Sequence, residues 1–247
     1  MLGSGARIDE IMAIADKHNI PVIEDTAQAA GATWRGKHLG TFGKCGTFSF
    51  DAVKTITTGE GGMVTTDDEA LGDKLRILRV HGGKPKYYHS MVGGNFRLDP
   101  MQAAIIMVKY PFLNQWHKAR QNNAARYNQL FQEAGLSGNG EGKIKIPKRI
   151  YQGQTPGIEY DHIFNQYVIR VKERDRVREF LKKKDIGNEV YYPVPFHLQK
   201  CFASLGYTLG DFPEAEKAAS RTMALPIYPE LTDEQQSYVV ESLKNYL

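Results

Sequence analysis

Residues 8 to 25 set the tightest limit on the fold. IDEIMAIADKH places Ile8, Ile11, Met12 and Ala15 on one face at helical spacing. Asn19-Ile20-Pro21 breaks that pattern, and the short apolar run VIED ends in acid. A helix, a tight turn and a buried strand in that order make an αβ unit of a largely parallel sheet. GTFSFD at 46–51 and GGMVTTDD at 61–68 read as two more short strands.

Thr66, Asp67 and Asp68 offer N-cap chemistry for a helix over 69–79. His81 and a glycine pair end it, and a polar loop runs to Gly94. Residues 98–133 are helical in pattern, with Pro100 suited to a first turn and Pro111 expected to kink or break the helix. The stretch 135–160 reads as a loop holding a short edge strand in KIKIP. Beyond it, NQYVIRV alternates as a strand, ERDRVREFLKKK is an amphipathic helix and NEVYYPV reads as a second strand. DFPEAEKAASRTMAL and TDEQQSYVVESLKNYL read as two helices, the second starting at a Thr232 N-cap. The expected architecture is α/β, with a mostly parallel sheet in residues 1–113 and a smaller α/β domain over 114–247.

Length and composition fit this reading. The 247 residues are 41% hydrophobic and 24% charged, enough to bury a core. A net charge of +4 spread along the chain argues against nucleic acid as a partner and suits small anions. Lys182-Lys183-Lys184 reads as a solvated helix face. Cys45 and Cys201 lack metal-type spacing, so no metal site is expected, and reduced thiols fit a cytoplasmic protein. No apolar run has membrane-span length and no signal peptide is visible, although the opening MLGSG reads as an added or misplaced start.

The chemistry-bearing groups fall after strands: Asp25 and Gln28 after the first, Ser49 to Lys54 after the second, and His81 after the next helix. In an open parallel sheet, ligands bind outside the carboxyl ends of the strands. A carboxylate and a lysine at neighbouring strand ends, with a hydroxyl nearby, are the parts needed to hold pyridoxal phosphate. The amine forms a Schiff base with the aldehyde, the carboxylate keeps the ring nitrogen protonated, and the hydroxyl with glycine-loop amides binds phosphate. Each group also has an ordinary reading. Asp25 can be a cap or turn residue, Lys54 solvated, Ser49 a strand residue and His81 a helix C-cap.

The stretch PVIEDTAQAAGATWRGKHLGTFGKCGTFSFDAVKTITTGEGGMVTT resembles the DegT/DnrJ/StrS family of sugar aminotransferases, fold type I pyridoxal phosphate enzymes. The resemblance continues through GGNFRLDPMQAA and YYPVPFHLQKCFASLGY to LPIYPELTDEQQSYVVESL. It implies that Asp25 pairs with the pyridine nitrogen, Gln28 lies beside the cofactor ring, Ser49 contacts the phosphate and Lys54 is the Schiff-base lysine. Asn95 and Arg97 match a loop reaching toward the cofactor phosphate and substrate of a neighbouring subunit. His197 matches a histidine near the nucleotide-sugar pocket, and His81 a structural turn. Lysine rather than histidine at position 54 favours aminotransfer over dehydration.

The implied reaction moves an amino group, commonly from glutamate, to a ketone on a nucleotide-linked sugar, in a homodimer with shared sites. YYPVPFHLQ resembles members acting on 3-keto sugars, and the products feed surface glycan or antibiotic sugar synthesis. The family's large domain is longer, and its first part, with the phosphate turn and the ring-stacking aromatic, has no counterpart here. The other expectation is therefore an N-terminally truncated, non-catalytic remnant or fragment that keeps dimer or ligand-binding surfaces.

Overall fold

The computed structural model describes residues 2–138, 142–149 and 160–247. Parts of the loop expected over 135–160 thus lie outside the described residues. The chain divides into two compact units, Met1–Lys118 with Tyr151–Asn165, and Ala119–Ile150 with Gln166–Leu247. The first unit takes in residues downstream of the division expected at 113/114. Backbone bonds explain this: Ile163 N–H donates to Gly3 at 2.8 Å, and Thr33 N–H to Tyr160 at 3.0 Å. Ile163 also joins a buried cluster with Ile8, Ala29, Ala32, Trp34 and Leu39.

In the first unit, α1 (Ile8–Lys17) buries Ile8 and Ala15, while Ile11 is exposed. Next comes β1 (Ile23–Asp25). A hairpin of β2 (Thr33–Trp34) and β3 (Lys37–His38) turns on Arg35 and Gly36, with φ of 47° and 83°. Positive φ at both central residues is what a two-residue hairpin requires. Strand β4 (Cys45–Ser49) pairs in parallel with β1, Asp25 opposite Thr47. Strand β5 (Gly62–Thr65) pairs with β4 in the antiparallel sense, Ser49 opposite Gly62. The sheet order is β1-β4-β5, so one of its two pairings is parallel. The 50–61 connection contains no helix to cross over the sheet, and a return without crossover must be antiparallel.

Helix α2 (Glu69–Leu78) starts where expected, with Asp68 accepting the Leu71 N–H at 3.0 Å. Pro100 occupies the first turn of α3 (Pro100–Lys109). Pro111 falls in a 3-10 turn, Tyr110–Phe112, that separates α3 from α4 (Leu113–Glu133), the break its missing N–H predicts.

In the second unit, β6 (Ile144–Lys145), β7 (Tyr167–Val171) and β8 (Thr222–Leu225) form an antiparallel sheet in that order. Its helices are the remainder of α4, then α5 (Arg174–Lys182), α6 (Pro213–Arg221) and α7 (Asp233–Tyr246). Tyr127, Phe131, Tyr167, Ile169, Leu181, Met223 and Leu243 are fully buried. The Tyr127 and Tyr167 rings lie 4.9 Å apart, and burial pushes both phenols well above their ordinary pKa. Thr232 caps α7 in a reciprocal capping box with Gln235.

Two expected elements differ. The helix read through Leu225 ends at Arg221, and Thr222–Leu225 is the buried strand β8. A short apolar run is ambiguous by periodicity, and pairing with β7 decides it. NEVYYPV forms no extended ladder; its described pairing is one bridge, Glu189 with Ala224. Pro193 and Pro195 cannot donate to a ladder, which limits any strand there. Among the described residues, no helix is long and apolar enough to cross a membrane.

Candidate functional site

The carboxyl ends of β1 and β4 carry two of the residues singled out in the sequence, Asp25 and Ser49. Asp25 closes β1 with an exposed carboxylate, whose Oδ1 accepts the Ala27 N–H at 3.1 Å. Three residues on, Gln28 Oε1 is buried and has no hydrogen-bond partner among the described residues. Ser49 closes β4 two residues beyond Asp25's neighbour Thr47, roughly 7 Å further along the strand. Its Oγ accepts the Asp51 N–H at 3.3 Å.

The chain then enters the connection that bears Lys54. Phe50 N–H donates to Gly61 at 2.8 Å, and Thr58 N–H to Phe50 at 3.1 Å. Thr57 Oγ1 donates to the Phe50 carbonyl at 2.9 Å, and Lys109 Nζ to the Thr57 carbonyl at 2.5 Å. Phe50 and Ile56 are buried together with Ala30 and Leu113, with Leu98 packed on them. Within this frame Lys54 N–H donates to Asp51 at 3.0 Å, and the side chain is half-buried. The Lys54 amine makes no hydrogen bond or ion pair among the described residues.

Asn95 and Arg97 come from a separate segment of the same unit. Asn95 bridges to Val80, and Phe96 N–H donates to Arg79 at 3.0 Å. Leu98, next to Arg97, joins the cluster under the Lys54 connection. His81 sits at φ 62° in the turn, its N–H donating to Gly94 and its carbonyl facing His89 Nδ1 at 2.9 Å. That is a backbone role.

His197 belongs to the second unit. Its Nε2 lies 2.9 Å from Glu216 Oε1, and its side chain is 7% exposed. The same Glu216 oxygen accepts the Gly210 N–H at 2.8 Å and the Phe212 N–H at 3.4 Å. The Gly210 bond, with smaller help from His197 and Phe212, holds the Glu216 carboxyl below the usual range. Nε2 of His197 is therefore committed, which leaves Nδ1 for any ligand.

Sequence reasoning missed Glu24, Lys109 and Glu216. Glu24 is 7% exposed, and its carboxylate takes three backbone N–H groups: Gly40 at 2.7 Å, Phe42 at 2.6 Å and Gly43 at 2.8 Å. Its signal was an acid inside an apolar run, followed by the glycines of LGTFG.

Known proteins resemble this chain along its whole length. A pleiotropic regulatory protein of Geobacillus stearothermophilus is 46% identical over all of this chain. A UDP-N-acetyl-3-dehydro-alpha-D-glucosamine 3-aminotransferase of Acidithiobacillus ferrooxidans is 38% identical over the same extent. The chain spans 63% of the length of each. The crystal structure of S. venezuelae DesV in complex with a ketimine intermediate superposes with a TM-score of 0.87 at 34% identity. It matches 100% of this chain and 63% of that one. The α/β fold is thus that of part of a type I aminotransferase. The model of the DegT/DnrJ/EryC1/StrS aminotransferase family matches residues 1–244, and the chain belongs to that family.

Proposed function

We propose that this chain serves a pyridoxal phosphate-dependent transfer of an amino group, from glutamate, to the keto group of a nucleotide-linked sugar. The observation that carries the reading is the placement of Asp25 and Ser49 at the ends of adjacent parallel strands. Lys54 follows five residues later in a pinned connection, its amine uncommitted.

The donor set fits the cofactor. Gln28 Oε1 is a buried acceptor lacking a donor, and the cofactor's ring substituents include a hydroxyl. Asp25 has one carboxylate oxygen held by Ala27 and would hold a proton on the ring nitrogen with the other. Ser49 Oγ would donate to the phosphate, with Asn95 beside it from a neighbouring copy. Pyridoxal phosphate, when bound, supplies an electron-accepting ring for the bond broken at the substrate's amino-bearing carbon. Lys54 Nζ would hold the aldehyde carbon, then carry the proton removed from the substrate. Arg97 and His197 would meet the substrate, Arg97 across a homodimer interface. The name of the Acidithiobacillus relative supports a 3-keto sugar.

The test uses purified protein mixed with pyridoxal phosphate. A visible absorbance band should form, borohydride should fix the cofactor on the peptide bearing Lys54, and Lys54→Ala should lose both signals. A folded sample without the band would sink the aminotransfer reading for this chain and leave the non-catalytic one.

A further inference from the structure

Glu24 directly precedes Asp25 but faces the other way, because successive side chains on a strand alternate. Beneath the sheet its carboxylate gathers the Gly40, Phe42 and Gly43 N–H groups at 2.6 to 2.8 Å. Bonds to an ionised acceptor are the strong kind, and three donors offset the cost of burying the charge.

The gathered segment touches every strand of the sheet. Lys44 N–H donates to Val22 at 2.8 Å, just ahead of β1. A Cβ on Gly46 of β4 would lie 2.4 Å from Gly40 Cα. Thr65 Oγ1, on β5, donates to the Gly40 carbonyl at 2.6 Å. The opposite end of the β1–β4 pair is also tied. Thr47 Oγ1 donates to the Glu24 carbonyl at 3.1 Å, and Thr26 donates from both N–H and Oγ1 to the Thr47 carbonyl, at 2.9 and 2.5 Å. The backbones leading to Asp25, to Ser49 and to the return from Lys54 therefore share one buried carboxylate.

We propose that Glu24 is a positioning residue: through residues 40–43 it sets the relative placement of the strand ends that carry Asp25 and Ser49 and of the connection that bears Lys54. Its functional meaning rests on the aminotransfer reading, whereas its structural effect can be measured without any ligand. In Glu24→Gln the side chain keeps its size, but its NH₂ now meets a backbone N–H, leaving one donor unsatisfied.

The experiment is amide hydrogen exchange on the ligand-free full chain, comparing wild type with Glu24→Gln and Glu24→Asp. Peptides covering 40–43 should exchange faster, and the acceleration should reach 25–28 and 49–54 by at least about tenfold, with second-unit peptides as the control. Acceleration confined to 40–43 overturns the proposal. If the Glu24 variants do not fold, Thr65→Val removes the Gly40 tie without touching the charge. Unchanged exchange at 49–54 in that variant also overturns it.

Pyridoxal phosphate titration supplies the functional arm. Glu24→Gln should weaken binding by about tenfold while Lys54 remains the labelled residue at saturation, a tenfold loss being worth about 1.4 kcal/mol. Wild-type affinity in Glu24→Gln overturns the proposal. Absence of binding by the wild type defeats the aminotransfer reading instead, and the exchange result alone then decides the role of Glu24.

Discussion

Strand β8 buries all four of its residues and β7 buries three of five, whereas Gly62, Met63 and Val64 of β5 are exposed. Helices α2 and α3 of the first unit bury no residue, while α7 alone buries five. The second unit is held by side-chain packing around Tyr127, Phe131, Tyr167 and Leu243. The first unit's sheet is held by directional polar ties and close backbone contact: Glu24 on three amides, Thr26 on Thr47, Gly46 against Gly40. Apolar packing stabilises strongly but without direction. Hydrogen bonds contribute less each and fix atoms within a narrow range of distance and angle. The polar-tied sheet is the one whose strand ends carry Asp25 and Ser49.

That contrast can be broken most sharply from the apolar side. Phe131→Ala should cost about 3–5 kcal/mol through lost burial and a residual cavity. Because two units need not unfold together, the loss should be read by hydrogen exchange peptide by peptide, with the second unit affected. Equal loss in the first unit would show one cooperative block and end the distinction.

From the other side, Gly46→Ala should cost about 1–3 kcal/mol, since the new methyl meets backbone that cannot rotate away. Here only first-unit amides should lose protection in urea titrations. A smaller effect is expected at Thr232→Ala, about 1 kcal/mol from loss of the α7 cap, with fraying confined to that helix.

The smallest effect is a pH dependence. Lys44 and the Leu71 N–H hold the Asp68 carboxyl below the usual aspartate range. A depressed folded-state pKa gives stability that is present above the unfolded value and lost as pH falls through the folded one. The protection of the Leu71 amide, taken relative to its intrinsic exchange rate at each pH, should therefore fall in acid, and Asp68→Asn should flatten that dependence. An unchanged profile would remove the polar cap from the account of the first unit.

Legibility in the sequence divides between local and long-range signals, in both units alike. Local signals are readable: the α1-to-β1 order, an N-cap among Thr66, Asp67 and Asp68, the break at Pro111 and the Thr232 N-cap each depend on neighbours within a few residues. Thr222–Leu225 was not, because a run of four residues has no period of its own and only pairing with β7 makes it a strand. Asp25, Ser49 and Lys54 stood out through order and resemblance. Glu24 did not, since its partners lie 16 to 19 residues away and are backbone amides, which leave no side-chain pattern. The His197–Glu216 pair was hidden for the same reason, two polar residues 19 apart joined only by the fold.

The connection over 50–61 carries a kinetic consequence. Its backbone is bonded at Phe50, Lys54, Thr57 and Thr58 and closed by antiparallel strands. A group joined to Lys54 Nζ therefore restricts one four-carbon side chain, whose full rotamer entropy is about 2 kcal/mol, and no loop has to be ordered with it. Attachment and detachment at this amine differ by a small, constant entropic amount. On the proposed aminotransfer, exchange between this lysine and an incoming amine would therefore require no refolding of the 50–61 backbone.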